Sequence, residues 1–301
     1  MQHKYVDVVS ISDIHDFYGC SAPKHPLITV IDLLKVDRSK FTEADTSFRL
    51  GCYSIFCKKS KGTLRYGQSY YDFTEGSLMF TAPHQVIASN PNISIEEGWA
   101  LFFHPDLLNR TDLGRKINTY SFFHYDVNEA LHISEEEKKI ITDCVENIQR
   151  VYSENIDKHT QILLQSNIEL LLNYCNRFYD RQFFTRAKVM NDTVERFEKM
   201  LAEYFSQESL IECGLPDVKY FAAGLHLSSN YLSDLLNKFT GKTTQEHIHL
   251  QLVDKAKSLL WSSDKTISEI AYELGFEHPS HFTKIFKAKT GKSPTAYRQL
   301  S

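Results

Sequence analysis

Five residues of one short stretch carry side chains suited to a polyanion. In "PSHFTKIFKAKTGKSP", Pro279 to Pro294, the residues Ser280, His281, Lys284 and Lys287 share one side of a helix at 100° per residue, with Thr283 on the flank. Lysine ammonium groups bind phosphate oxygens or guanine O6 and N7, and small hydroxyls bond phosphates or base edges. Phe282, Ile285, Phe286 and Lys289 point the other way. The plain alternative is a helix that buries one face and keeps its lysines in water.

The elements that would position these residues can be read upstream. Thr266 and Glu269 form a capping box, so a helix begins there. Ile267, Ile270, Ala271 and Leu274 give it a buried face, Gly275 ends it, Phe276 plugs the corner, and Pro279 suits the first turn of the next helix. A short helix, a tight turn and a second helix with one apolar and one polar-basic face make a helix-turn-helix, whose second helix can enter the DNA major groove.

The same pattern stands about fifty positions earlier in "VKYFAAGLHLSSNYLSDLLNKFTGK", Val218 to Lys242. Phe221, Ala222 and Leu225 correspond to Ile270, Ala271 and Leu274, and Leu227 corresponds to Phe276. Leu232, Leu235, Leu236 and Phe239 supply the buried face of the second helix. The outward face is read as Asn230, Tyr231, Asp234, Asn237 and Lys238, with Ser233 on the flank and Ser228 or Ser229 as cap. Thr-Gly-Lys closes both copies, at 240–242 and 290–292. Residues 243–261 between them read as one connecting helix, so the two units could reach successive major-groove faces.

The tandem units, the linker helix and "ISEIAYELGF…HFTKIFKAKTGKSPTAYR" resemble the DNA-binding domain of the AraC/XylS family of bacterial transcription regulators, over about residues 190–301. In that family base contacts come from the starts of both recognition helices. The resemblance therefore implicates Ser229, Asn230, Ser233 and Asp234 in the first, and Pro279, Ser280, Thr283 and Lys284 in the second. Lys238, His281 and Lys287 complete the expected DNA-binding set. Asp234 departs from the family, where a basic residue is common. A carboxylate repels phosphate but can accept a bond from a cytosine amino group. The family also implies, more weakly, a cupin-like sensing domain at the N-terminus.

Residues up to about 130 read as β: "FRLGCYSIFC" (48–57), "SLMFTA" (77–82) and "GWALFFHPDLL" (98–108) are strand-like, with "KKSKG" and "TEG" as turns. Close-spaced short strands fit a small barrel or sandwich. Ser134 and Glu137 cap a helix, followed by stripes through Ile140–Tyr152, Ile162–Cys175 and Val194–Phe205. The expected chain is thus α+β: residues 1–130 a cupin-like β-barrel or sandwich with a regulatory role, 131–212 a helical connector that can serve dimerisation, and 213–301 an all-α domain with two helix-turn-helix units.

Other chemistry is thinly supported. His84, His104 and His124 lack the His-x-His and carboxylate spacing of a metal-bearing cupin, so no metal and no cofactor are expected. No phosphate loop, nucleophile elbow or HExxH is present, and the expectation is no enzyme, with metal-dependent cupin catalysis the minor alternative. The six cysteines are scattered, and Cys52 and Cys57, five apart on a strand, point to opposite faces, which argues against a redox bridge. The aromatic residues Tyr53, Phe56, Tyr66, Tyr70, Phe73, Phe80 and Trp99 could line an effector pocket, with Tyr53, Tyr66, Phe80 and Trp99 as principal candidates; each could equally be core.

Charge is uneven. Residues 216–301 hold 11 Lys+Arg and 8 Asp+Glu, a balance of +3, on a chain of net −4. No apolar run approaches a membrane span and no secretory segment is visible, so a cytoplasmic regulator is expected. Its expected partners are double-stranded DNA, a small-molecule effector, a second copy if the middle helices pair, and RNA polymerase if it activates. A regulator without a ligand, controlled by a partner or by abundance, is the alternative.

Overall fold

A computed structural model describes residues 4–36, 46–61, 63–66, 69–72, 76–88, 94–126, 129–154, 156–185, 187–206, 210 and 214–299. The chain divides into two compact units, 1–185 and 186–301.

In the first unit, β1 (Lys4–Val8) leads into α1 (Ile11–Tyr18), then β2 (Ile28–Asp32), β3 (Thr46–Leu50), β4 (Tyr53–Lys61), β5 (Thr63–Tyr66), β6 (Ser69–Asp72), β7 (Ser77–Thr81), β8 (Val86–Ala88) and β9 (Ser94–Phe103). A 3-10 turn at Pro105–Leu108, α2 (Asp112–Lys116), β10 (Leu131–His132), α3 (Glu135–Ser153) and α4 (Thr160–Thr185) follow. The strands form a five-stranded antiparallel sheet in the order β10-β7-β4-β9-β2, a three-stranded sheet β1-β3-β8 and the ribbon β5-β6.

The cupin-like barrel expected from the resemblance is not found: among the described residues no sheet closes on itself. Both edges of the large sheet are occupied by helix side chains instead of strands. On β2 the Val30 N–H donates to the Tyr152 hydroxyl of α3 at 3.1 Å. On β10 the His132 N–H donates to the Gln182 carbonyl oxygen at 2.7 Å, and the Arg181 guanidinium donates to the His132 carbonyl at 2.6 Å. Each of these bonds takes an edge group that pairing with a further strand would use.

Strand parity sorts the core into two layers. Ala100 and Phe102 of β9 and Ile31 of β2 face β1, β3 and α1, where Val8, Ile11, Ile14 and Leu50 complete a buried cluster. The other face of the large sheet carries Tyr53, Ile55, Phe80, Leu101 and Phe103, paired by register. Phe80 meets Phe122 at 4.5 Å and Tyr179 of α4 at 6.0 Å. Of "KKSKG", expected as a turn, Lys58–Lys61 instead run on in β4, paired with β9 through a register shift between Lys59 and Ser60, and Gly62 lies outside the described residues. Cross-strand pairing there outweighs the local turn composition.

The helical stripes hold in part. Ile141, Cys144, Val145, Ile148 and Tyr152 of α3 are buried, as are Ile168, Leu171, Leu172 and Cys175 of α4, but Ile162 and Leu163 are exposed. α1 is not among the elements that apolar periodicity announces, although Ser10 and Asp13 form its capping box and Gly19 its left-handed end.

The second unit contains α5 (Ala187–Ser206), α6 (Val218–Leu225), α7 (Ser229–Thr240), α8 (Thr244–Ser262), α9 (Ile267–Glu273), α10 (Pro279–Thr290) and α11 (Pro294–Arg298). α5 is integral to it: Phe197 packs edge-on against Phe221 of α6 at 5.3 Å and His247 of α8 at 5.6 Å.

Candidate nucleic-acid interface

The two halves of the second unit repeat down to individual hydrogen bonds. After α6 the Leu227 N–H donates to the Ala222 carbonyl at 2.9 Å; after α9 the Phe276 N–H donates to the Ala271 carbonyl at 3.0 Å. These bonds fix the turn that aims the second helix of each pair. The turn needs a left-handed residue, supplied by His226 at φ 58° in the first copy and Gly275 at φ 85° in the second. Glycine takes that conformation freely, and histidine at a cost.

The repeated Thr-Gly-Lys is a helix stop. Gly241 and Gly291 are left-handed, and their N–H groups donate to the Asn237 and Lys287 carbonyls, each at 2.9 Å. The Thr240 hydroxyl donates to the Leu236 carbonyl and the Thr290 hydroxyl to the Phe286 carbonyl, each at 2.8 Å. Thr243 and Ser293 then cap α8 and α11. What is done twice is the end of one helix and the start of the next, which holds α7 and α10 in matching settings.

α7 buries Leu232, Leu235 and Leu236 and is capped by Ser228, which accepts from the Tyr231 N–H at 3.2 Å. Tyr231, read as outward, is 1% exposed: it lies in the first turn beside the packed corner, where helix periodicity places it on the boundary and its large ring turns inward. Asn230, Asn237 and Lys238 are exposed, and Ser229 and Asp234 are half-buried. The Ser233 hydroxyl pairs with the Thr244 hydroxyl of α8 at 3.1 Å, so its polar atom is turned toward the connecting helix.

α10 presents the outward face that its spacing predicts. Phe282 and Phe286 are buried, while Ser280, His281, Lys284, Lys287 and Ala288 are all exposed. Pro279 is at the first turn, and the flanking Thr283 hydroxyl donates back to the Pro279 carbonyl at 3.0 Å. Lys289, on the inward side, lies 3.8 Å from Glu246 of α8. Among the described residues Lys284, Lys287 and Lys292 take part in no ion pair, which leaves three ammonium groups uncommitted.

α8 positions both pairs. Thr243 and Glu246 make its capping box, and Ile248, Leu252, Val253, Ala256 and Leu260 form its buried stripe. Hydrogen bonds from the Thr243 backbone and hydroxyl hold the Glu246 carboxyl below its usual range. His247 bonds the Thr240 hydroxyl through Nε2 at 2.7 Å, and burial lowers its pKa.

Tyr53 is half-buried, stacked on Phe103 at 5.2 Å; Phe80 is buried among rings; Trp99 is half-buried on the same sheet face, opposite Cys57. The side chains of Tyr66 and Tyr70, and Phe73 and Cys213 entirely, lie outside the described residues. Cys52 and Cys57 are free and buried, and burial pushes each thiol up to about 12. His104 caps the 3-10 turn by accepting from the Asp106 N–H at 3.2 Å. Among the described residues no group of three or more His, Cys, Asp or Glu is placed to hold a metal ion, and no helix is long and apolar enough to cross a membrane.

Comparison with known proteins fits this geometry. Residues 221–300 match a family model described as a helix-turn-helix domain. An uncharacterized HTH-type transcriptional regulator, YfiF of Bacillus subtilis, is 27% identical over 164 residues, which cover 54% of this chain and 48% of that protein. Regulatory protein PocR of Salmonella typhimurium is 37% identical over 78 residues, 26% of each chain. The DNA-binding domain of AdpA, a global transcriptional factor solved with a target DNA, is 29% identical with a TM-score of 0.29, covering 33% of this chain and 90% of that one. The chain spans about half the length of the first of these curated relatives and a quarter of the second.

Proposed function

We propose, from the AraC-type helix-turn-helix domain that the chain carries in residues 221–300, that the protein is a sequence-specific DNA-binding regulator of transcription. One observation carries this reading: two hydrogen-bond-matched helix pairs on one connecting helix, each presenting an exposed polar face. α7 and α10 enter successive major-groove segments. Asn230 and Asp234 read the first and Ser280, Thr283 and Lys284 the second, while Lys238, Lys287 and Lys292 meet phosphates. Asp234 selects for a cytosine amino group and lowers the charge contribution of the first box. Because the two faces differ, the two boxes differ.

In this reading residues 1–185 carry control and no catalysis, and a small effector acts through them. The buried layer between the two sheets, built on Ala100, Phe102 and Leu50, is filled by side chains, so the effector meets the unit elsewhere. A second copy and RNA polymerase are the partners a regulator of this kind engages.

The test is selection of full-length protein on a randomised duplex pool. A regulator of this design enriches one long site with two unlike half-boxes about 10 base pairs apart. Enrichment of no sequence over the input pool would end the reading.

A further inference from the structure

A cleft of about 360 Å³ opens beside the end of the large sheet, between β4, the 3-10 turn after β9, α2 and the turn that follows it. That is the size of a small-molecule site. Tyr53, Pro105, Leu108 and Ile117 supply its apolar wall, and Arg110, Arg115 and Asn118 line it with polar groups; among the described residues no carboxylate does.

Its frame is tightly built. The Leu108 carbonyl accepts from the Thr111 hydroxyl at 2.7 Å, and the Thr111 hydroxyl accepts from the Gly114 N–H at 3.0 Å. Only glycine fits at 114, since a Cβ there would lie 2.2 Å from the Leu108 carbonyl oxygen. α4 braces the same segment: Gln165 donates to the Leu107 carbonyl at 2.7 Å, Lys116 pairs with Glu169 at 3.1 Å, and Tyr120 donates to Asn173 at 2.9 Å.

Within this frame the polar groups are unequally committed. Arg115 pairs with Asp112, outside the cleft wall. Arg110 is exposed and, among the described residues, holds no ion pair or hydrogen bond, and it stands at φ 61°. A left-handed arginine is strained where asparagine or glycine would be at ease, and such residues cluster at functional sites. The Asn118 side chain likewise has no hydrogen-bonding partner among the described residues.

We propose that this cleft is the effector site and takes a small organic carboxylate, its apolar body on Tyr53, Pro105 and Leu108 and its carboxylate on Arg110, with Asn118 as second donor. A guanidinium fork matches a carboxylate in charge and geometry, and the bond is strengthened by the apolar wall beside it. The inference rests on the reading that residues 1–185 carry effector control, and it names the place and the chemistry.

The probe pair is 3-phenylpropanoate and its uncharged amide, titrated into the full-length chain by calorimetry. The carboxylate should bind saturably and the amide about tenfold more weakly, the change expected from losing one charge-assisted contact. Arg110→Gln should erase the difference. Arg110→Gly should do the same while melting no lower than the parent, because glycine accepts φ 61° without strain. Parent-like carboxylate binding by both variants, or no saturable binding by the parent, overturns the site. DNA affinity with and without probe separates the two readings. Binding at Arg110 with unchanged DNA affinity keeps the site and removes effector control. An effect of probe on DNA affinity that survives Arg110→Gln keeps effector control and removes the site.

Discussion

At the scale of single residues, lysines of one type are assigned different work by their placement. Lys284 lies one turn into α10, exposed and without an ion pair among the described residues, and Lys287 one turn further along the same face. Lys284→Ala should relax base preference at one operator position by about 1–3 kcal/mol, read by binding to a set of single-base variants. Lys287→Ala should weaken all sequences alike and reduce the slope of log K against log salt by about 0.9. Gly275 carries a different burden, because its φ is 85° and a Cβ would lie 2.9 Å from the Leu210 carbonyl oxygen and the Gly214 backbone. Gly275→Ala should cost roughly 2 kcal/mol or more in denaturant unfolding, since backbone on both sides must shift. The exposed face of α10 was legible in the sequence because helical spacing separates Phe282 and Phe286 from Ser280, Lys284 and Lys287. Tyr231 was not, because periodicity alone does not decide the facing of a boundary aromatic. Nor was the Ser233–Thr244 bond, which joins residues of two helices and leaves no local trace.

At the scale of elements, helix ends were the most legible feature and strand ends the least. Ser134/Glu137 and Thr266/Glu269 form the capping boxes their spacing announces, because both partners lie within one turn. β4 runs through "KKSK" because β9 lies beside it, and that information sits about forty residues away. That no described sheet closes into a barrel has a related reason: side chains from α3 and α4 bond to the edge strands, and nothing local to β2 or β10 reveals it. α8 gives a testable element. Burial holds His247 and His249 below their usual value of 6.5, so both stay neutral in the fold while the unfolded chain takes up protons. Their contribution is full above about pH 6.5 and is lost as pH falls toward the lowered folded values. Unfolding of the full chain should therefore show the second unit melting earlier at pH 5.5 than at 7.5. His247→Gln should flatten that dependence. A further loss below pH 4.5 belongs to the depressed carboxyls of Glu246 and Glu269, whose capping bonds require the charged form.

At the scale of the whole molecule, the central claim is that one chain reads two unlike boxes at a fixed spacing. α8 is a single 19-residue helix, and both helix-turn-helix pairs pack on it, so their separation is set by one rigid element. Thr-Gly-Lys repeated fifty residues apart made this duplication visible in the sequence, and the matched bonds at Thr240 and Thr290 explain it. The most direct measurement is the affinity of the full-length protein for its selected operator and for versions with five and ten base pairs inserted between the boxes. Five pairs turn one box to the far side of the duplex, and α8 cannot follow. Ten restore the face but exceed the reach. The account predicts that both insertions drop binding toward the non-specific level, with the footprint retained over one box at most. Full affinity for the five-pair insertion, or protection of a single short palindrome by each copy, would contradict it.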